Sequence, residues 1–373
     1  MVFTRKVDAN GEVERCKARL IIQGFRQRKG EDYFDLFSLT PTHVSLRMLL
    51  ALKGKMNYVL INSDGKKAFT QADLEETMYV ELPEGKAKFG GAVRFLKKCL
   101  YGIVQASQNW NFLLVEALLE LRLEQSEANP CLFRMIVDGE AVIIIIVHVD
   151  DMMVAEEPVA GYAVCIIEGF NEKFPVVNLG EVTKFMGCRI RRNRKTGTLV
   201  VDQSLYIGEL VERHGTGTNY ELPSITKRVK QEGPVPDDYR SMIGGIQWAA
   251  IMTRPDTCFA VRELTSSVEN PNYDWDLLGT KGHRITFGDF GLYGNGPRDQ
   301  LIGYTDADYA NCKDSRLNIS DGVVMFGRGW VDWWSRKQKT VTLSTAEAEY
   351  VALCELGEKV MFLKQEYMFM QPL

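Results

Sequence analysis

Paired cysteines of the kind that bind zinc are missing from this 373-residue sequence. The eight cysteines, Cys16, Cys99, Cys131, Cys165, Cys188, Cys258, Cys312 and Cys354, are scattered, no two stand at CxxC spacing, and histidines number four. A zinc site and a disulfide framework are not expected, and a reducing compartment is the simpler reading. Long apolar runs are missing too. The longest, Ala141 to Val147, is far too short to cross a membrane but suits one buried strand. No apolar stretch follows a basic start at the N-terminus, so secretion is not expected. A net positive charge is also absent. The balance is −4, which taken alone speaks against a nucleic-acid binder. The basic residues are clustered, however: Arg15, Lys17, Arg19, Arg26, Arg28 and Lys29, then Arg189, Arg191, Arg192, Arg194 and Lys195, then Arg336, Lys337 and Lys339. Such patches can track a phosphate backbone on a mildly acidic protein, or can be solvated turns and strand edges.

The length allows two or three domains, each with its own core. The N-terminal part predicts a hairpin turning at Asn10-Gly11, with a strand over Ala18 to Ile22. A helix is expected over His43 to Leu52, a strand from Tyr58 to Ile61, and an amphipathic helix from Trp110 to Leu121. Cys131 to Val137 and Glu140 to Val147 read as strands around an Asp138-Gly139 turn, and Met152 to Ala155 continues in apolar residues. Residues 216–238 read as a linker, Met242 to Met252 as a helix, and residues 270–296 resist assignment. Strands return at Leu301 to Tyr304, Gly322 to Phe326 and Trp330 to Trp334, with a turn at Arg328-Gly329, before a helix that starts near Ser344.

Carboxylates carry the chemistry. Asp64 follows a strand, and the adjacent pair Asp150 and Asp151 falls between two apolar runs, where a tight hairpin turn is expected. Like charges side by side are costly unless a cation neutralises them. A strand-end Asp beside a hairpin-tip Asp pair is a donor set for two divalent metals, and hard oxygen ligands favour Mg²⁺ or Mn²⁺. A surface turn is the alternative reading of the same dipeptide.

Taken in order, the motifs resemble those of copia-type LTR retrotransposon polyproteins. Lys17 to Phe25 resembles KARLVAKGF, Asp64 to Phe69 resembles DVKTAF, and Leu100 to Ala106 with Trp110 resembles LYGLKQAPRxW. Glu127 to Phe133 resembles EADPCLY, and His148 to Asp151 resembles YVDD. Leu179-Gly180-Glu181 with Phe185-Met186-Gly187 resembles LGE…FLG, and Thr253 to Asp256 resembles TRPD. Tyr304 to Ala310 resembles YSDADWAG, and Lys337 to Ala352 resembles KKQKTVALSSTEAEYVA.

The resemblance implies an α+β right-hand polymerase with fingers, a ferredoxin-like palm and a thumb, then a connection and a truncated RNase H-like α/β domain. The expected boundaries are 1–215 for fingers, palm and thumb, 216–297 for linker and connection, and 298–373 for the RNase H-like part. It implies an RNA-directed DNA polymerase that transfers a nucleotide from a dNTP to a primer 3′-hydroxyl on an RNA or DNA template. Its cofactor would be Mg²⁺ or Mn²⁺ and its setting a cytoplasmic particle or the nucleus, with no membrane partner. Asp64, Asp150 and Asp151 would be catalytic, with Asp64 and Asp150 holding the metals. Lys17, Arg19, Phe69, Tyr101 and Gly102 would bind the nucleotide, Phe69 either under the sugar or as a core residue. In the RNase H-like part Asp306 and Glu349 would be metal ligands. RNase H activity is not expected, because the family's further Asp lies on elements this sequence does not include.

Several positions depart from the pattern. His148 stands for Tyr, Gly65 for Val, and Val104, Ser107 and Gln108 for Lys, Pro and Arg. They motivate a second reading, a degenerate, non-catalytic remnant that keeps the fold and binds nucleic acid. An imidazole at His148 is expected to charge near neutral pH and compete with metal.

Overall fold

The computed structural model describes residues 1–7, 13–34, 40–82, 93–158, 161–195, 198–214, 239–265, 285–287, 300–309, 316–327 and 329–371. In chain order it begins with β1 (Val2–Val7), β2 (Val13–Arg19), α1 (His43–Lys55), β3 (Val59–Gly65), β4 (Tyr79–Glu81), β5 (Val93–Phe95) and α2 (Ala106–Glu120). Next come β6 (Glu124–Gln125), β7 (Leu132–Val137), β8 (Glu140–His148), β9 (Asp151–Glu156), α3 (Tyr162–Lys173), β10 (Val176–Glu181), β11 (Lys184–Phe185), β12 (Cys188–Asn193) and β13 (Thr198–Asp202). The remainder is α4 (Ser204–His214), α5 (Tyr239–Met252), α6 (Cys258–Thr265), β14 (Ile285–Phe287), β15 (Leu301–Asp308), β16 (Ile319–Phe326), β17 (Gly329–Lys337) and α7 (Thr345–Met370). The fold is mixed α and β. Two compact units form, residues 1–41 with 60–181, and residues 42–59 with 182–372. Residues 42–59 and 182–214, expected from sequence in the N-terminal region, thus belong to the second unit. The Asn10-Gly11 turn, the linker at 216–238, Arg328 of the Arg328-Gly329 turn, and all of 270–296 except β14 lie outside the described residues.

The first unit is built on a six-stranded sheet in the order β10-β3-β9-β8-β7-β6. Asp138-Gly139 turns β7 into β8 with φ of 52° and 83°, the left-handed pair that closes a two-residue hairpin. The apolar run of β8 is buried at Ile143, Ile144, Ile145 and Ile146 alike. Ile143 and Ile145 join Val154, Trp110, Leu114, Leu118, Ile166 and Phe170 in one core, so α2 and α3 pack on that sheet face. Burial of side chains of this size contributes roughly 1.5–3 kcal/mol each. A two-stranded β1–β2 ribbon and the β4–β5 ribbon complete the unit. The strand expected over Ala18 to Ile22 ends at Arg19 instead. Ile22 gives its N–H to Tyr101 O at 2.8 Å, so a loop contact replaces the ladder there.

The second unit carries the sheet β11-β12-β13-β14, helices α1 and α4 to α6, and the three-stranded antiparallel sheet β15-β16-β17 under α7. Helix α7 starts at the expected box: Ser344 Oγ accepts from Glu347 N at 3.2 Å, and Glu347 Oε2 accepts from Leu343 N at 2.7 Å. Among the described residues no helix is long and apolar enough to cross a membrane. The seven described cysteines are all free thiols. Burial pushes those of Cys131, Cys188 and Cys258 up to about 12, which disfavours the reactive thiolate at these three positions.

The second basic cluster is largely committed to this unit's own structure. Arg189 Nη2 and Arg191 Nη2 bond the two oxygens of buried Asp202 at 2.9 and 2.8 Å, and Arg192 Nη2 bonds Gly54 O at 3.0 Å. Burial works against the Asp202 carboxylate, but hydrogen bonds from Ser204 and Arg189 outweigh it and hold its pKa at about 2. With a folded pKa below the ordinary 3.8, the stabilisation is present above pH 4 and is lost as pH falls towards 2. It amounts to about 2 kcal/mol. Urea denaturation between pH 5 and 2 is expected to show this loss in the natural chain. Asp202→Asn is expected to be less stable at pH 5 and to lack that part of the pH slope. Parallel pH profiles for the two proteins would show that the carboxylate contributes nothing.

Candidate active site

Asp64 is the penultimate residue of β3, and Asp151 opens β9. His148 and Asp151 face each other across the β8–β9 hairpin, so Val149 and Asp150 form its two-residue tip, as the flanking apolar runs led us to expect. Strands β3 and β9 are neighbours. Gly65 N donates to Asp150 O at 2.7 Å, which ties the residue after Asp64 to the backbone of Asp150 itself. Two carboxylates 86 positions apart in sequence are thereby brought to one strand end. Both also act on the same phenol: burial chiefly raises the Tyr101 pKa, and the charges of Asp150 and Asp64 raise it further while Arg19 lowers it. Asp151 falls one residue on, as the first residue of β9. Among the described residues no group of three His, Cys, Asp or Glu is placed to hold a metal.

Gly65 has a local cause. A Cβ at that position would lie 3.3 Å from Asp150 O and 3.7 Å from the Trp110 ring. At Gly102 the backbone has φ +91°, and a Cβ would lie 2.1 Å from Ile22 O, so only glycine lets the two backbones meet. This contact seats the end of β2 against Tyr101. Arg19, the last residue of β2, places its guanidinium 5.6 Å from the centre of the Tyr101 ring. Its Nε is buried with no hydrogen-bond partner. The Phe69 ring meets Tyr101 edge-on at 5.0 Å and packs partly buried on the core. Asp64, Asp150, Arg19, Phe69, Tyr101 and Gly102 therefore gather in one unit, while Lys17 sits on β2 opposite Thr4. Gln27 and Gln105 brace the arrangement through a side-chain bond of 2.9 Å, and Gln27 Oε1 accepts from Val104 N at 2.8 Å.

The expectation for His148 is overturned. Burial lowers its pKa, and that effect outweighs the nearby Asp150 charge, which alone would raise it. The packed sheet therefore works against the charged imidazole that was expected here.

In the C-terminal part the two expected ligands stand on different elements, Asp306 on β15 and Glu349 on α7. Across β15 and β16, Asp306 stands opposite Asp321. Residues Gly303 and Thr305 face α7: a Cβ at Gly303 would meet Leu356, and Thr305 Oγ1 reaches Ala352 O at 3.5 Å. Strand alternation sends Asp306 to the opposite face, whereas Glu349 is exposed on α7. The carboxylate beside Asp306 is Asp321, held above its ordinary pKa by burial, despite a Ser335 hydrogen bond and Arg262, and further by the charges of Asp306 and Asp308. Asp321 carries no motif signal, only its register on the strand could have pointed to it.

These features define a mixed α and β unit with two aspartate-bearing strand ends held together, and comparison with known proteins gives the family. Residues 1–226 match the family described as Reverse transcriptase (RNA-dependent DNA polymerase), and the chain belongs to that family. It is 31% identical over 390 residues to the Retrovirus-related Pol polyprotein from transposon TNT 1-94 of Nicotiana tabacum, an alignment covering 98% of this chain and 29% of that protein. It is 28% identical over 381 residues to each of the Retrovirus-related Pol polyproteins from transposons RE1 and RE2 of Arabidopsis thaliana, with 97% of this chain and 25% of each relative covered. The resemblance to copia-type polyproteins read from the motifs is borne out over nearly the whole chain. The chain spans less than a third of the length of these relatives.

Proposed function

We propose that the first unit is the fingers and palm of an RNA-directed DNA polymerase, and that its reaction is nucleotidyl transfer from a dNTP to a primer 3′-hydroxyl. The observation that supports this reading is the Gly65–Asp150 backbone hydrogen bond, which joins the end of β3 to the β8–β9 tip, with the charges of Asp64, Asp150 and Arg19 all acting on Tyr101. Two carboxylates suit Mg²⁺ or Mn²⁺, which fill their remaining positions with water and phosphate oxygens. Bound there, such metals would supply activation of the hydroxyl and neutralisation of the leaving pyrophosphate. Asp64 and Asp150 would hold them, with Asp151 adjacent. The buried, unpartnered Nε of Arg19 fits a triphosphate oxygen, for which a guanidinium is well shaped. Lys17 would add charge from the same strand, and Tyr101 and Gly102 would form the floor under the nucleotide. In this reading residues 1–215 form fingers, palm and thumb, residues 216–297 form the connection, and residues 298–373 are RNase H-like. Template and primer are the partners. Purified chain is expected to extend oligo(dT) on poly(rA) with dTTP and Mg²⁺ or Mn²⁺; no extension with either metal would reject the activity and favour the non-catalytic remnant.

Phe69 would police the sugar. Its ring stands edge-on to Tyr101, and the resemblance to the family puts it under the nucleotide's sugar, where a 2′-hydroxyl would clash with it. Phe69→Ala is expected to raise the ratio of rNTP to dNTP incorporation by at least about tenfold, since the exclusion is steric. An unchanged ratio in an active variant would assign Phe69 to the core alone.

A further inference from the structure

The tip of the β8–β9 hairpin is held in an unfavourable shape. Val149 has φ +59°, a left-handed conformation that a β-branched residue rarely adopts. Such strain persists only where the surroundings impose it, and it collects at functional sites. Two groups impose it here. Gly65 N holds Asp150 O at 2.7 Å, and the Trp110 indole Nε1 holds Val149 O at 2.7 Å. Trp110 is itself packed in: it is 1% exposed, edge-on to Phe174 at 5.3 Å, and its Cζ2 lies 3.7 Å from where a Gly65 Cβ would be. One side chain from α2 thus touches both segments that carry the aspartates, the end of β3 and the tip before β9.

We propose that Trp110 is a positioning residue, which fixes Asp150 against Asp64 by clamping the strained carbonyl of Val149. This rests on the reading of those two carboxylates as a metal site. The clamp works by direction as well as by bulk. An indole N–H donates along one line, so it sets the orientation of the Val149 peptide and hence the departure of the Asp150 side chain that follows. Phenylalanine would retain much of the ring packing but could not donate. With the bond lost, Val149 can relax out of the left-handed region, and the Asp150 carboxylate moves away from Asp64.

The test compares the natural chain with Trp110→Phe and with Trp110→Phe/Val149→Gly. The readouts are direct Mn²⁺ binding by calorimetry, primer extension, thermal unfolding, and hydrogen exchange of the indole N–H signals. Trp110→Phe is expected to weaken Mn²⁺ binding and lower kcat, each by about tenfold, the worth of one buried hydrogen bond. The KM for dNTP is expected to stay unchanged. Glycine adopts positive φ without strain, so Val149→Gly is expected to restore much of the loss in the Trp110→Phe background. A residue that only fills the core would not be rescued this way. Mn²⁺ binding and kcat of Trp110→Phe equal to those of the natural chain would overturn the proposal, and so would a loss that Val149→Gly leaves untouched. If the natural chain binds no Mn²⁺, the metal reading is what fails. The clamp is then judged by exchange: the indole signal that disappears in Trp110→Phe is expected to be strongly protected in the natural chain, and rapid exchange of that signal would refute it.

Discussion

Asp150→Asn is expected to lower primer extension by at least about 10³-fold, with Asp64→Asn giving a loss of the same size. The amide keeps the shape of the side chain and removes its charge. Gly65 N donates to the Asp150 backbone oxygen, not to its side chain, so the bond that joins β3 to the hairpin tip survives the substitution. The fold should therefore hold, and the variants should unfold near the temperature of the natural chain. What is lost is the anionic oxygen that a divalent cation needs, and with it several kcal/mol of charge stabilisation in the transition state. Asp151→Asn is expected to cost less, because in this reading Asp64 and Asp150 hold the metals and Asp151 only stands beside them. Single-turnover extension on a primed RNA template measures all three. Asp150→Asn with near-natural activity would remove Asp150 from the chemistry, and an Asp151→Asn loss larger than that of Asp150→Asn would exchange their roles.

Arg47→Ala is expected to destabilise the second unit by about 3–5 kcal/mol, the range for breaking a buried ionic network from one side. Arg47 lies on α1 and is 2% exposed. Its Nε donates to Val331 O at 2.8 Å, and its Nη1 donates to Ile251 O and Met252 O at 2.8 and 3.1 Å. The guanidinium stacks on Trp333 at 3.9 Å, and Asp332 lies 4.0 Å from Nη2 with Lys359 on its other oxygen. Burial lowers the pKa of Arg47 to about 10, partly offset by Asp332, so the side chain is still a cation at pH 7. Removing it strands three carbonyls that end α5 and line β17, two of them in fully buried bonds, and it leaves Asp332 with a single cation. Lysine is expected to recover little, since one ammonium cannot reach the three carbonyls from the same stem. Losses of this size are a large part of a domain's total of roughly 5–15 kcal/mol. Urea unfolding of the purified chain decides it: a change below about 1 kcal/mol, no more than an exposed pair is worth, would mean that the network adds little.

Where a local rule decides the structure, the sequence was readable. Asp138-Gly139 closes its hairpin because both residues tolerate positive φ, and Ser344 with Glu347 caps α7 because their side chains reach the open N–H groups. The burial of β8 followed from an uninterrupted run of isoleucine. The closeness of Asp64 and Asp150 did not follow from spacing; it came from resemblance to a family, and the strand order now gives it a geometric basis. Long-range contacts were the illegible part. Nothing local shows that Ile22 leaves the β2 ladder to bond Tyr101, that Arg47 ends in a buried cage, or that Trp110 reaches the Val149 carbonyl. His148 was misjudged for the same reason. Its neighbour Asp150 is visible in sequence and would raise the pKa, while the burial that wins is a property of the packed sheet. Asp306 was paired with Glu349 by motif, but the alternation of β15 turns it towards Asp321.

The central claim is that Asp64 and Asp150 act as one divalent-metal site. Its most direct test is Mn²⁺ affinity, measured by calorimetry in Asp64→Asn, in Asp150→Asn and in the double variant. Ligands of a shared site lose their effect together, so each single substitution is expected to weaken binding by at least about tenfold and the double variant no further than the worse single. Affinity unchanged by Asp64→Asn, or losses that simply multiply in the double variant, would contradict it.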